Sequence, residues 1–220
     1  MSDLGSLGQS IYPIMGLDSI GKSFSAIDLS ITNSRLPSQI TYDNLSVYID
    51  NYKEQHHAQY AIGGYLEQRN LYGLSDHFTT GERRDIHLGI DIWAPAGHSI
   101  QAPLDGIIHS FAYNDQHLDY GYTIIVQHES SDGTFHALYG HLSSDYFDQW
   151  QVGQKISQGT PFASLGDRTE NGGWPPHLHF QLIKDMGDWN GDYPGVCAQS
   201  DLGYYRENCP DPSGLIRMNR

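Results

Sequence analysis

The run from His177 to Ile183 alternates strictly between polar and apolar side chains. In an extended strand, successive side chains point to opposite faces of the sheet, so His177, His179 and Gln181 share one face. The other face carries apolar residues: Leu178, Phe180 and Leu182. This period of two predicts a strand with one face on the core, and it sets two imidazoles side by side on the other face.

Short segments of this kind recur along the chain, and turn-forming glycine, proline and aspartate separate them. The candidate strands are 86–93, 98–102, 105–113, 121–128, 134–141, 161–165 and 177–184. Many short strands at this spacing predict a mainly β fold, either an antiparallel sandwich or a barrel. The small share of charged residues, 17%, and the 24 glycines are consistent with such a turn-rich fold.

The strongest helical pattern lies outside this β region. Apolar residues recur there with the spacing of one helix face: Leu45, Tyr48, Ile49 and Tyr52. This predicts a helix over 43–57. Because the composition shifts near residue 60, we expect a small α/β N-terminal appendage over 1–60, a β domain over 61–190, and a C-terminal tail over 191–220 packed on that domain. Residues 73–84 are predicted to form a loop.

Acidic residues dominate the charge, which is −14 with only 12 Lys and Arg. A nucleic-acid-binding protein needs a basic surface, and an anionic membrane repels an acidic chain, so we expect neither partner. No apolar run approaches the length of a membrane span, and no signal peptide is apparent. If Met1 is the native start we expect a cytoplasmic protein, whereas a chain trimmed of a leader would be exported. Two free thiols are then expected at Cys197 and Cys209 rather than a disulfide.

A second candidate strand carries another pair of ligand-type side chains. His87, Gly89 and Asp91 share one face of it, with Leu88, Ile90 and Ile92 on the other. Two imidazoles and one carboxylate form a three-ligand zinc set that leaves a fourth position for water. Neither cysteine stands near a histidine, so an open catalytic site is favoured over a closed structural one. The same ligand set also binds iron(II), which leaves a different metal-dependent β enzyme as an alternative.

A third motif is Leu138-Tyr139-Gly140-His141. A further histidine near such a metal can act as a general base or stabilise an oxyanion. The chain has 12 histidines, so each motif alone is a weak signal. Those without a comparable setting are interpreted as structural or surface residues: His98, His109, His117, His128 and His136.

Together these motifs resemble the lysostaphin-type zinc metalloendopeptidases, which are peptidoglycan DD-metalloendopeptidases with LytM-like domains. The resemblance covers residues 84–184 and rests on ordered segments: His87 to Asp91, Ala102 to Ile108, Leu138 to Ser143 and Pro176 to Phe180. It implies the antiparallel β-sheet groove of that family, a duplicated-hybrid-motif barrel-sandwich, with one Zn²⁺ on its floor. Carried over to this sequence, the resemblance makes His87, Asp91 and His179 the zinc ligands.

The resemblance also makes His141 and His177 the catalytic pair beside the metal. It implies hydrolysis of peptide bonds in peptidoglycan-type peptides by metal-activated water. A non-catalytic binding or regulatory module on the same fold is an alternative, disfavoured because the ligand set is intact.

Three further residues are candidates for a substrate groove: Arg69, Tyr139 and Trp174. Trp174 and the two prolines after it are expected to crowd the groove rim. The segment 65–70 precedes the first zinc strand, and we expect it to be an edge strand with solvated charges. It is alternatively a wall of the groove, or a plug over the zinc that makes the enzyme latent.

Overall fold

The computed structural model describes residues 10–19, 21–71 and 82–216. Most of the loop predicted over 73–84 therefore lies outside the described residues. Within the described ranges the α-helices are α1 (Tyr42–Gln55) and α2 (Leu202–Asn208). The strands are β1 (Phe24–Ile27), β2 (Tyr60–Gly63), β3 (Arg84–His87), β4 (Ile90–Trp93), β5 (Ser99–Gln101), β6 (Gly106–Asn114), β7 (Gly121–Ser130), β8 (Gly133–Leu142), β9 (Lys155–Ile156), β10 (Pro161–Ser164), β11 (His177–Ile183) and β12 (Val196–Ala198).

One eight-stranded sheet organises the fold, in the order β1-β2-β4-β11-β8-β7-β6-β9. Neighbouring strands are antiparallel except β1 and β2, which pair in parallel. Two small sheets, β5 with β10 and β3 with β12, accompany it. The prediction of a mainly β, antiparallel fold is confirmed.

The apolar face of β11 lies in the main core, as the alternation predicted. Leu178, Phe180 and Leu182 are each fully buried. They pack in one cluster with apolar side chains from β4, β7 and β8. The burial of this face turns the polar face of β11, with its two histidines, away from the core.

The strand predicted over 86–93 is two strands. β3 pairs with β12, and β4 pairs with β2 and β11 in the main sheet. The chain passes between them at Leu88 and Gly89. A Cβ on Gly89 would lie 2.8 Å from the carbonyl oxygen of Phe180, so only glycine lets the backbone pass this close to β11.

The N-terminal residues extend the main sheet beyond β4. Helix α1 begins after Thr41, whose side chain accepts from the backbone N–H of Asn44 while the Asn44 side chain accepts from that of Thr41. Leu45 and Ile49 are the buried residues of α1, and they pack in a cluster that includes Trp93 of β4. The division of the chain at residue 60 stays a prediction.

Both cysteines are free and buried. Among the described residues, no helix is long and apolar enough to cross a membrane.

Candidate metal centre

Strand pairing brings the three predicted ligands together. The β4–β11 register sets Asp91 directly opposite His179. His87 is the last residue of β3 and reaches the same place from the small sheet. All three side chains are buried, with exposures of 2% to 3%.

The ligand-type atoms form a nearly equilateral triangle. His87 Nε2 lies 3.0 Å from His179 Nδ1 and 3.2 Å from Asp91 Oδ1. His179 Nδ1 lies 3.1 Å from the same carboxylate oxygen. Among the described residues, these three form a group whose donor atoms lie close enough to hold one ion.

Each imidazole has an inner nitrogen in the triangle and an outer nitrogen that faces away from it. The hydrogen bond of the outer nitrogen determines whether the inner nitrogen carries a proton or a lone pair. His87 Nδ1 lies 3.0 Å from the carbonyl oxygen of Gly64, which can only accept, so this nitrogen donates. His179 Nε2 lies 3.0 Å from Gln181 Oε1. Gln181 donates its Nε2 to the carbonyl oxygen of Pro194, which orients its oxygen towards His179. Each inner nitrogen therefore presents a lone pair.

In these tautomers, two lone pairs and a carboxylate oxygen converge on one point. Such an arrangement is repulsive unless a cation occupies its centre. Two imidazoles and one carboxylate, with a fourth position left for water, match the donor set of catalytic zinc. The residues present therefore fit a divalent metal ion.

Electrostatics keep these groups in the form that binds a metal. Burial, followed by the charge of Arg69, lowers the pKa of His87 to about 4, so its ring is neutral near pH 7. Burial opposes ionisation of Asp91, but His87 and the Arg69 guanidinium hold the pKa of its carboxyl well below the ordinary value. A neutral imidazole and an ionised carboxylate are the states that metal binding requires.

The two other predicted site histidines lie beside the triangle. The rings of His141 and His177 have centroids 4.2 Å apart, and His177 Nε2 is 3.8 Å from Asp91 Oδ1. His141 Nδ1 donates to the carbonyl oxygen of Asn171 (2.9 Å), and His177 Nδ1 donates to that of Pro175 (2.7 Å). Burial lowers the pKa of both rings. Each ring is thus neutral, with a basic Nε2 left free to act.

His141 reaches the site through a β-bulge. Tyr122 of β7 stands opposite Leu142, but Ile124 stands opposite Tyr139, so two residues of β8 face one residue of β7. Backbone φ at His141 is +62°, which is uncommon for a residue other than glycine. Bulges re-aim side chains next to active sites, and here the bulge turns His141 away from the core.

Tyr139 does not line the groove, and its prediction as a groove residue is wrong. Its side chain is fully buried in the main core against the rings of Phe162 and Phe180. It lies before the bulge, where the alternation of β8 still directs this position into the core.

Arg69 borders the pocket that opens over the centre. The expectation of solvated charges is wrong here, because Arg69 is only 1% exposed. Its Nη1 donates to Asp91 Oδ2 at 2.5 Å and its Nε donates to Glu67 Oε2 at 2.6 Å. Arg69 therefore contacts a candidate ligand directly, within the site.

A pocket opens over the candidate centre. Its lining includes Leu45 of α1, Trp93 of β4, Tyr120, Trp174, Trp189 and Tyr193. Trp174 lines this pocket and is 8% exposed, and its role in a substrate groove stays a prediction. Sequence reasoning missed Tyr120, whose hydroxyl lies 3.5 Å from His179 Nε2, because no motif marks it.

Residues 85–191 match the model of peptidase family M23. This segment, just under half of the chain, matches a peptidase M23 domain. The resemblance inferred from the zinc-site motifs is therefore confirmed. Over 107 residues the chain is 30% identical to the peptidoglycan DD-endopeptidase ShyC of Vibrio cholerae. That alignment covers 49% of this chain and 22% of the relative, so the chain spans about a fifth of that protein's length.

Two solved structures resemble this chain at lower sequence identity. The catalytic domain of the antimicrobial peptidase lysostaphin from Staphylococcus simulans is 20% identical, with a TM-score of 0.42, over 73% of this chain and 97% of that one. A zinc-containing peptidase from Vibrio cholerae is 21% identical, with a TM-score of 0.40, over 66% and 34%.

Proposed function

We propose that the M23 domain is a zinc-dependent metallopeptidase that hydrolyses peptide bonds in peptidoglycan-type peptides. The observation that carries the proposal is the convergence of two imidazole lone pairs and one carboxylate oxygen. Two further imidazoles lie beside them. Membership of a peptidase family supports the reaction class. The Vibrio cholerae relative is a peptidoglycan DD-endopeptidase, which supports the substrate class.

Three atoms would hold the ion: His87 Nε2, Asp91 Oδ1 and His179 Nδ1. A bound Zn²⁺ supplies a Lewis acid that lowers the pKa of water and polarises the scissile carbonyl.

His141 and His177 move the proton. Each has its Nδ1 held by a carbonyl oxygen, so each offers Nε2 to the attacking water. A general base of this kind contributes about 10² to 10⁴ in rate. Once protonated, the same Nε2 donates to the developing oxyanion or to the leaving amine. The nearby Asp91 carboxylate favours the protonated form of His177, and the Trp93 ring stacked on it maintains its orientation.

Metal analysis of purified variants tests this division of roles. Wild type should hold about one equivalent of zinc per chain, because a three-ligand site binds one ion. His179→Ala should lose the metal, whereas His177→Ala should retain it and lose turnover of peptidoglycan fragments. His56→Ala, at the exposed end of α1, is the matched control and should change neither.

Three outcomes would contradict the proposal or part of it. Wild type without bound metal would exclude the zinc site, and equal zinc loss in both site variants would remove the distinction between ligand and base. Metal-loaded wild type without turnover on any peptide would favour the non-catalytic module or the latent enzyme.

A further inference from the structure

Residues 64–69 precede the matched M23 segment, yet they contact two of the three candidate ligands. The carbonyl oxygen of Gly64 accepts from His87 Nδ1, and Arg69 Nη1 donates to Asp91 Oδ2. Backbone hydrogen bonds tie the segment to β3, from Leu66 N–H to the carbonyl of His87 and from Arg69 N–H to that of Asp85. The segment therefore supports two of the ligands through atoms outside the triangle of donor atoms, His87 Nδ1 and Asp91 Oδ2.

Arg69 is held rigidly in this place. Its guanidinium bridges Asp91 and Glu67 through two different nitrogens, and its side chain is 1% exposed. Glu67 is itself fixed, because its Oε1 accepts from the backbone N–H of Leu29 at 3.0 Å. A planar guanidinium presents its donors in a fixed fork, which a lysine ammonium cannot reproduce.

The two oxygens of Asp91 have different partners. Oδ2 accepts from Arg69, while Oδ1 lies 3.1 Å and 3.2 Å from the inner nitrogens of His179 and His87. Glu67 offsets the charge of Arg69, so the pair orients the carboxylate without leaving a net positive charge beside the cation site.

We propose that Arg69 is a positioning residue that holds Asp91 as a monodentate metal ligand through Oδ1, and that Glu67 holds Arg69 in turn. This inference rests on the proposed metal centre and extends it, because it assigns part of the centre's support to residues before the matched M23 segment. Arg69 acts through Asp91 and takes no part in the chemistry.

Arg69→Lys tests the inference because it keeps the charge and removes the fork. We expect the Zn²⁺ dissociation constant, measured by chelator competition, to rise about 10- to 100-fold, the usual effect of losing such an outer partner. The visible absorption of the Co²⁺-substituted protein should also change, since a released Oδ2 can join the coordination. Arg83→Lys is the matched control: Arg83 pairs with Asp85 at 3.2 Å and is 46% exposed, and its loss should move neither quantity.

Glu67→Gln provides a second test in case Arg69→Lys fails to fold, which near-UV circular dichroism reports. It removes one anchor of Arg69 and should raise the dissociation constant in the same direction. If a folded variant of either kind kept the wild-type dissociation constant and Co²⁺ spectrum, the positioning role of Arg69 would be overturned, but the proposed metal centre would not. Wild type that binds no Zn²⁺ would instead overturn the proposed metal centre.

Discussion

Every histidine of the candidate centre has one ring nitrogen held by an acceptor oxygen. The acceptors are the carbonyls of Gly64, Asn171 and Pro175 and the side-chain oxygen of Gln181. Acceptors of this kind select the tautomer and so decide which nitrogen carries the lone pair. Three of the four belong to the backbone, so only Gln181 can be removed by substitution.

Gln181→Leu should therefore weaken metal binding although no ligand is replaced. Gln181 is fully buried, and leucine is close to it in size, but its loss leaves His179 Nε2–H without its acceptor. We expect the Zn²⁺ dissociation constant to rise about 10- to 100-fold, as measured by chelator competition. Gln181→Glu retains an acceptor and should stay closer to wild type; the reverse order, or no change in either variant, would contradict this account of the tautomer.

At the scale of the elements, two local irregularities build the centre from regular strands. The bulge in β8 turns His141 out of the core, and the break between β3 and β4 lets His87 and Asp91 approach His179 from two sheets. Both occur where the chain passes close to β11. The centre therefore depends on how closely β4 and β11 approach each other.

Gly89→Ala tests this close approach. A Cβ at this position would lie 2.7 Å from His179 Nε2 and 2.8 Å from the carbonyl oxygen of Phe180. The backbone oxygen cannot yield without moving β11, so we expect loss of bound zinc and a decrease of about 1–3 kcal/mol in the free energy of unfolding.

Gly203→Ala in α2 is the matched control, because a Cβ there meets nothing within 4 Å. It should be neutral or slightly stabilising, since alanine favours helix. Urea unfolding and zinc content measure both variants. A Gly89→Ala protein with wild-type stability and zinc content would show that the backbone at residue 89 has space for a side chain beside β11.

At the scale of the whole molecule, histidines buried outside the centre make the fold sensitive to acid. Burial lowers the pKa of His128, and burial together with the neighbouring His109 lowers the pKa of His136 from 6.5 to about 4. His128 and His136 lie on β7 and β8, two neighbouring interior strands of the main sheet. Their neutral form is the one that the folded protein accommodates.

We therefore expect the metal-free protein to lose stability as the pH falls from about 6.5 to 4. In this range the unfolded chain binds a proton at His136 and the folded chain does not, so His136 contributes a slope of at most about 1.4 kcal/mol per pH unit. The lowered pKa of His128 acts in the same direction. Urea unfolding in the presence of a chelator at several pH values measures it. His136→Gln should lower the slope, and a stability that stays flat or rises on acidification would contradict the prediction.

The sequence by itself determined the mainly β class and the residues that became the candidate ligands. Both depend on short-range patterns: the period of two in β11, the turn residues between strands, and the ordered histidine motifs of the M23 segment. These patterns survive in any register that buries Leu178, Phe180 and Leu182, because burial of one face forces the histidines onto the other.

Only the tertiary structure decided the support of the centre. The bulge at His141, the burial of Tyr139 and the ion pair of Arg69 with Asp91 all depend on which strands lie side by side. Arg69 illustrates the reason. An arginine near an edge strand has the same local sequence whether it is solvated or buried, and it is the carboxylate 22 residues later that stabilises the buried form.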